Sequence, residues 1–269
     1  MKIAIIGSGI SGLISAHLLQ GIAEIDVYES NNYVGGHTNT LKVERDHGTY
    51  NVDTGFIVFN SNTYPNFCNL IDQLDVGYLE THMGFSVRDD EQNLEYSGHS
   101  IGGMFAQKQN LFRLRMYKMI QEILRFNKQS KQFLESKNTD LGLEEYLLEN
   151  KYSRSFIDSF IIPMGAAIWS SSPDDMRNFP ALFFIRFFQN HGFLNLTDRV
   201  IWRTVKGGSK SYVDAILKKF KGNIFLNKPV ETVTRLEKSV EIKVTGKIME
   251  YDHVIFACHS DQALRLLSD

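Results

Sequence analysis

The sequence predicts an α/β protein, a Rossmann-like dinucleotide-binding domain that carries a β-meander and is interrupted by a mostly helical α+β domain. Three observations carry that prediction. An apolar run at residues 2–6 feeds at once into Gly7, Gly9 and Gly12; the alternation of strand and helix is lost over residues 55–205; and it resumes from residue 206. The expected division is therefore 1–54 with 206–269 as the dinucleotide-binding domain and 55–205 as an inserted domain.

Residues 2–12, Lys-Ile-Ala-Ile-Ile-Gly-Ser-Gly-Ile-Ser-Gly, read as strand, turn and helix in the GxGxxG spacing. Gly7 permits the tight turn off the strand, Gly9 lets the backbone approach a pyrophosphate, and Gly12 lets the helix pack close to the strand. Ser11 lies in the first helical turn, whose free N–H groups and positive dipole end suit phosphate oxygens. Glu29 closes the apolar stretch Ile25–Tyr28 at the distance expected of a ribose-binding acid. A glycine-rich turn that binds nothing is the bland alternative, but preceding strand, following helix and spaced acid are all present.

Hydrophobic residues at 43% and charged residues at 22% describe a soluble globular chain, and a net charge of -2 gives no reason to expect a nucleic-acid partner. Cys68 and Cys258 form neither a CxxC nor a metal spacing, so no metal is expected and a reducing, cytoplasmic setting fits. No apolar run reaches the roughly 18 residues of a bilayer span. The apolar amino terminus reads as a strand, because its glycines follow immediately.

Helix is expected over Ser11–Gln20, with Gly21 as its stop. A second glycine pair, Gly35-Gly36, follows the ribose acid by a few residues and leads into His37 and Thr38. Two adjacent glycines release backbone N–H groups for another close approach to phosphate. A nicotinamide-binding unit would continue into its next helix here, so the second loop and the split fold favour FAD over NAD.

Gly7–Gly12, Glu29, Gly35-Gly36 and Asp53-Thr54-Gly55-Phe56 together resemble the amino-terminal half of the flavin-dependent amine oxidase superfamily, which includes protoporphyrinogen oxidase and phytoene desaturase. The resemblance implies a glutathione-reductase-like FAD domain, with Gly55 and Phe56 near the cofactor and Val230 contacting the adenine through its backbone, and it makes the insertion at 55–205 the substrate domain. In that superfamily an arginine usually follows the glycine pair; here His37 stands in its place. Residues 55–60, 63–66, 105–108, 168–170 and 204–206 are similar to the oxidoreductase domain fused ahead of plant cyclopropane fatty-acid synthases and to bacterial predicted NAD/FAD-binding oxidoreductases. The family pattern continues past residue 269 into a glycine-rich segment over the flavin, so this chain is expected to be a portion, with reduced flavin retention and activity.

The insertion opens with short strand-like pieces such as Gly84–Arg88. A long helix is expected over Leu111–Glu135, its lysines and arginines forming a solvated face, and another over Leu143–Asn150. Phe179, Phe183, Phe184, Phe187, Phe188 and Phe193 read as an ordinary helical core contact or as the lining of an apolar substrate channel. Trp169 reads as packing. From Lys206, Ser209 is a plausible N-cap for an amphipathic helix, Asn223–Leu226 a strand, Val230–Val244 a meander and Tyr251–Ala257 a buried strand. Cys258 and His259 end near the cofactor in such a topology, or serve capping and packing.

No Ser/His/Asp set, paired carboxylates or metal cluster stands out, so no catalytic acid or base is assigned. The first expectation is an FAD-dependent oxidoreductase taking a hydride from a small hydrophobic substrate, with a fatty-acyl chain as candidate and peripheral membrane contact compatible with it. The rivals are a non-catalytic dinucleotide-binding partner of a lipid methyltransferase, an amine oxidase and an NAD-dependent dehydrogenase.

Overall fold

A computed structural model describes residues 1–98, 100–135, 140–194 and 200–268. In chain order its elements begin with β1 (Lys2–Ile6), α1 (Ile10–Leu19), β2 (Glu24–Tyr28), β3 (Thr40–Arg45), β4 (Gly48–Asp53), α2 (Pro65–Leu74) and β5 (Tyr78–Thr81). Next come β6 (Ser86–Asp89), β7 (Leu94–Ser97), α3 (Ile101–Met104), a 3-10 turn at Lys108–Phe112, α4 (Leu114–Phe133) and α5 (Leu143–Glu149). They are followed by α6 (Arg154–Phe156), a π turn at Ile157–Ile161, α7 (Ile162–Trp169), α8 (Pro173–Arg177) and α9 (Ala181–Asn190). The order is completed by β8 (Trp202–Val205), α10 (Lys210–Lys219), β9 (Asn223–Phe225), β10 (Val230–Arg235), β11 (Val240–Val244), β12 (Lys247–Tyr251), β13 (His253–Phe256) and α11 (Ser260–Leu266).

The chain forms two compact units, residues 1–81 with 203–269, and residues 82–202. In the first, a four-stranded sheet has the order β13-β1-β2-β9, every neighbour parallel. Successive side chains of a strand point to opposite faces. Ile3 and Ile5 of β1 pack with Ile25 and Val27 against Ala16 of α1, while Ala4 and Ile6 pack with Tyr28 against Val230, Ile242 and Val244 of the antiparallel β10-β11-β12 meander. Both faces are covered, which is why β1 reads as an unbroken apolar run.

Residues 55–81 group with this first unit, although the sequence reading placed them in the insertion. Phe59, Leu70, Ile71 and Leu74 share one core with Leu13, Tyr212, Val213 and Ile216. Loss of the strand–helix rhythm marks a change of element type, and the chain changes core only some residues later. At the other edge the units part at Trp202–Arg203, close to the expected residue 205.

The second unit is helical around its own core, with the β6–β7 hairpin beside it. The long helix begins at Leu114, because residues 108–112 form the 3-10 turn. Its inner stripe is Met116, Met119, Phe126 and Ser130, together with Glu122, which accepts hydrogen bonds from the Ser153 N–H at 2.8 Å and the Ser153 hydroxyl at 2.5 Å. Phe184 and Phe188 are buried core residues, and Trp169 packs on Phe179, Phe184 and Phe187 with ring centroids 4.9, 5.6 and 4.7 Å away. The packing reading therefore accounts for most of this cluster; Phe183 is 55% exposed. No helix among the described residues is long and apolar enough to cross a membrane.

Candidate functional site

The candidate site lies at the carboxyl ends of β1, β2 and β13, the edge where open parallel sheets bind ligands. Gly7 donates its N–H to Tyr28 O at 2.8 Å, turning the chain off β1 beside the end of β2. It has φ +106°, and a Cβ there would stand 2.5 Å from Ala257 O, so only glycine fits. Gly12, buried in α1, would bring a Cβ to 1.9 Å from Gly7 O. Gly9 differs from both, since nothing lies within 4 Å of a Cβ built on it. No side chain caps α1 and no acid stands in its first turn. The first N–H groups of the helix, including that of the exposed Ser11, therefore lack an intrahelical acceptor next to an open space.

The second glycine loop is tied onto the first. The Gly35 N–H donates to Ser8 O at 3.0 Å. Gly36 (φ +58°) approaches so closely that its Cβ would lie 3.0 Å from Gly9 Cα. The Thr38 N–H returns to Gly35 O at 2.9 Å, and the buried Thr38 hydroxyl pairs with the phenol of Tyr212 on α10. His37 is exposed, its ring parallel to that of His259 with centroids 6.1 Å apart. Gly55 passes beneath this loop, where a Cβ would meet His37 O at 2.1 Å.

Glu29 is 5% exposed, and protein donors occupy both its oxygens. Oε2 accepts the Ser8 N–H at 2.9 Å and the Ser8 hydroxyl at 2.6 Å; Oε1 accepts the Asn31 N–H at 2.8 Å and the Ser30 hydroxyl at 3.2 Å. Burial would raise this carboxyl, but the Ser8 hydroxyl and then the Asn31 and Ser8 amides outweigh it and hold the pKa below the ordinary value. Glu29 thus fastens the glycine loop to the end of β2, and a ribose reaching it would share Oε1 with Ser30 and Asn31.

The structure therefore brings Gly7, Gly9, Ser11, Gly12, Glu29, Gly35, Gly36, His37 and Thr38 together at one end of the sheet, with Gly55 in contact. Phe56 and Val230 turn their side chains inward. Phe56 packs on Phe67 at 4.9 Å between centroids, and Val230 sits in the core between sheet and meander. Sequence reasoning passed over Ser8, Ala257 and Tyr212. Ser8 occupied a variable position of the motif, and nothing in the sequence links the other two to it. Ser209, read as an N-cap, instead gives its hydroxyl to Phe56 O at 2.6 Å. The N-terminus of α10 is held by Asp53, which accepts from the Ser209 N–H at 2.9 Å, and by Thr40, which accepts from the Lys210 N–H at 2.9 Å. His259 is the N-cap of α11, in a reciprocal box with Gln262; burial pushes the neighbouring Cys258 thiol up.

The family model described as flavin containing amine oxidoreductase matches residues 10–269. No curated protein sequence matches. Among solved structures, a putrescine oxidase bound to putrescine is similar at TM-score 0.70 and 19% identity, over 99% of this chain and 60% of that one. An oxidoreductase from Methanosarcina mazei matches at TM-score 0.65 and 16% identity, over 100% of this chain and 61% of the other. A fatty acid isomerase from P. acnes matches at TM-score 0.61 and 15% identity, over 99% and 61%. The chain thus spans about 60% of the length of these solved relatives. With the family model covering nearly the whole sequence, the chain belongs to the flavin-containing amine oxidoreductase family, and the cofactor that membership implies is FAD.

Proposed function

We propose that this chain carries the FAD-binding machinery of an oxidoreductase that takes a hydride from a hydrophobic substrate, with residues 1–81 and 203–269 forming a glutathione-reductase-like cofactor domain and the interrupting helical region serving the substrate. The observation that carries the reading is the doubled glycine bracket. Gly9 leaves open space at an uncapped helix N-terminus, and the Gly35-Gly36 loop is bonded directly over it. A diphosphate fits that cradle, and a side chain on Gly9 would fill it. Bound there, FAD supplies the two-electron acceptor.

The chain's own residues have distinct tasks in this reading. The N–H groups of Ile10, Ser11 and Gly12 offer donors to phosphate oxygens, and the exposed His37 imidazole stands in the second loop. Glu29 holds the loop in place and shares Oε1 with a ribose hydroxyl. The Val230 backbone would meet the adenine, and Gly55 with the Phe56 backbone would lie along the rest of the cofactor. No residue is assigned as acid or base; orientation and exclusion of water are the protein's contribution.

The acyl-chain substrate draws support from the likeness to the domain fused to plant cyclopropane fatty-acid synthases, and a fatty acid isomerase shares the fold. The purified protein should be yellow or become so on adding FAD; a chain that takes up no FAD would overturn the cofactor assignment. Anaerobic mixing of the loaded protein with acyl lipids should bleach the flavin band. Bleaching by putrescine and other amines alone would replace the acyl substrate with an amine.

A further inference from the structure

An apolar tip stands on the second unit where the 3-10 turn passes into α4. Phe112 is 89% exposed and Leu114 86%. Side chains this bare lean on no wall of the protein, and they leave most of their apolar area in water at a cost near 25 cal/mol per Å². The fold does not need them there, because α4 buries the opposite stripe of Met116, Met119 and Phe126. Its outer face instead carries Leu114, Tyr117, Lys118, Leu124 and Lys128, all exposed and all at helical spacing.

Charge is segregated in the same place, in a chain whose net charge is -2. From Tyr96 to Gln121 the sequence contains Lys108, Arg113, Arg115 and Lys118 and no acid; the next acid, Glu122, is buried. Some of these cations are already engaged. Arg113 donates to Asn93 O at 2.6 Å, Arg115 to Gln92 Oε1 at 3.0 Å, and Arg125 lies over the Tyr152 ring at 4.0 Å. The acids beside them are on the β6–β7 hairpin, where Arg88 pairs with Asp90 at 2.8 Å, Arg115 faces Asp89, and the backbone of the exposed Glu95 is bonded to the side chains of Gln107 and Asn110 at 3.2 and 3.0 Å. Lys108, Lys118 and Lys128 are exposed with no partner among the described residues.

We propose that this tip docks on an anionic lipid surface, with Phe112 and Leu114 entering the interfacial layer and Lys108, Lys118 and Lys128 facing the lipid phosphates. Apolar residues interspersed with lysines on one helix face suit such a surface. A bilayer needs no shaped counterpart, which agrees with side chains that stand singly. The inference does not rest on the FAD reading, since the surface would bind with or without flavin.

Co-sedimentation with vesicles of phosphatidylcholine alone and of phosphatidylcholine with phosphatidylglycerol tests it. The protein should pellet with the anionic vesicles only, and less so as salt is raised. Lys118→Ala with Lys128→Ala should weaken that binding on the order of twentyfold, at roughly fivefold per lysine. Phe112→Ser with Leu114→Ser should abolish it while leaving thermal unfolding unchanged, as expected for exposed positions. Phe112→Trp should give a blue-shifted emission when anionic vesicles are added. Equal pelleting with both lipids, unchanged pelleting of the serine variant, or a dimer on gel filtration that the serine variant dissolves would each overturn the proposal, the last by making the occupant a second copy of the chain.

Discussion

Asp26 and Glu29 lie three residues apart along β2 and its exit, each 5% exposed, and their surroundings differ in almost every respect. Glu29 is satisfied locally, by the glycine loop it clamps at the end of β2. Asp26 lies beneath the meander and is satisfied from a distance. Its Oδ2 accepts from the Tyr251 phenol at 2.8 Å and Lys2 Nζ at 3.1 Å, and its Oδ1 from Asn223 at 2.8 Å. Tyr251 and Tyr28 share a hydrogen bond of 2.6 Å, and the Tyr28 ring stacks on Phe225 at 5.1 Å. Burial raises both phenols, so they stay protonated and available for donation. One carboxylate serves a backbone cradle and its neighbour fixes the meander to the sheet. A buried acid at the end of a strand is thus no evidence of a ligand until its partners are known.

The sharpest way to break the contrast is on the cradle side. Gly12→Ala drives a methyl into Gly7 O, a backbone atom that cannot rotate away. The expected cost is about 3 kcal/mol or more, a fall in Tm of roughly 6–12 °C by thermal unfolding, with loss of FAD binding. On the meander side, Asp26→Asn leaves Lys2 uncompensated and weakens the Tyr251 bond. A loss of about 2 kcal/mol by chemical denaturation is expected, with FAD affinity unchanged. Glu29→Gln should cost a similar stability and also lower FAD affinity about tenfold by titration. Equal effects of the two carboxamides on FAD affinity would erase the distinction between the sites.

These two regions also differ in what their residues reveal in advance. The cradle was legible because its chemistry is local: Gly7, Gly9 and Gly12 stand in one short motif, and Gly35 and Gly36 are adjacent. The paired β1 and β2 follow from apolar runs and the meander from alternation. Asp26 was read only as part of a strand, since Asn223 and Tyr251 meet it from other elements. The same reason hid Tyr212 behind Thr38 and Asp53 at the start of α10, where a local cap at Ser209 was the simpler expectation. The edge of the insertion was misplaced because Phe59, Leu70 and Ile71 declare their core only through contact with Tyr212 and Ile216.

Acid titration sharpens the comparison further. Burial raises both carboxyls, but hydrogen bonds prevail: those from Asn223, Tyr251 and Lys2 lower Asp26, and those from Ser8 and Asn31 lower Glu29. A carboxyl whose folded pKa lies below its unfolded value stabilises the protein fully above the unfolded value, near 4, and that contribution disappears as pH falls through the folded pKa. Stability from urea unfolding should therefore fall as pH drops below about 4 in the wild type. The fall should be shallower in Asp26→Asn with Glu29→Gln, which no longer has these protons to bind. A slope equal to the wild type's would mean that other carboxyls dominate acid unfolding.

The smallest expected change in stability is at Gly9, and it isolates the cradle from the fold. Gly9 has φ -66° and ψ -178°, open to any residue, and nothing obstructs a Cβ. Gly9→Ala should therefore keep stability within about 1 kcal/mol, the difference between glycine and alanine at an N-cap. The added methyl nevertheless occupies the space a diphosphate would take, so FAD affinity should fall more than tenfold in a fluorescence titration. Gly12→Ala loses binding because it loses the loop; Gly9→Ala should lose binding with the loop intact. If Gly9→Ala bound FAD like the wild type, the space above α1 would not be the phosphate site, and the cradle would have only the structural role that Asp26 has beneath the meander.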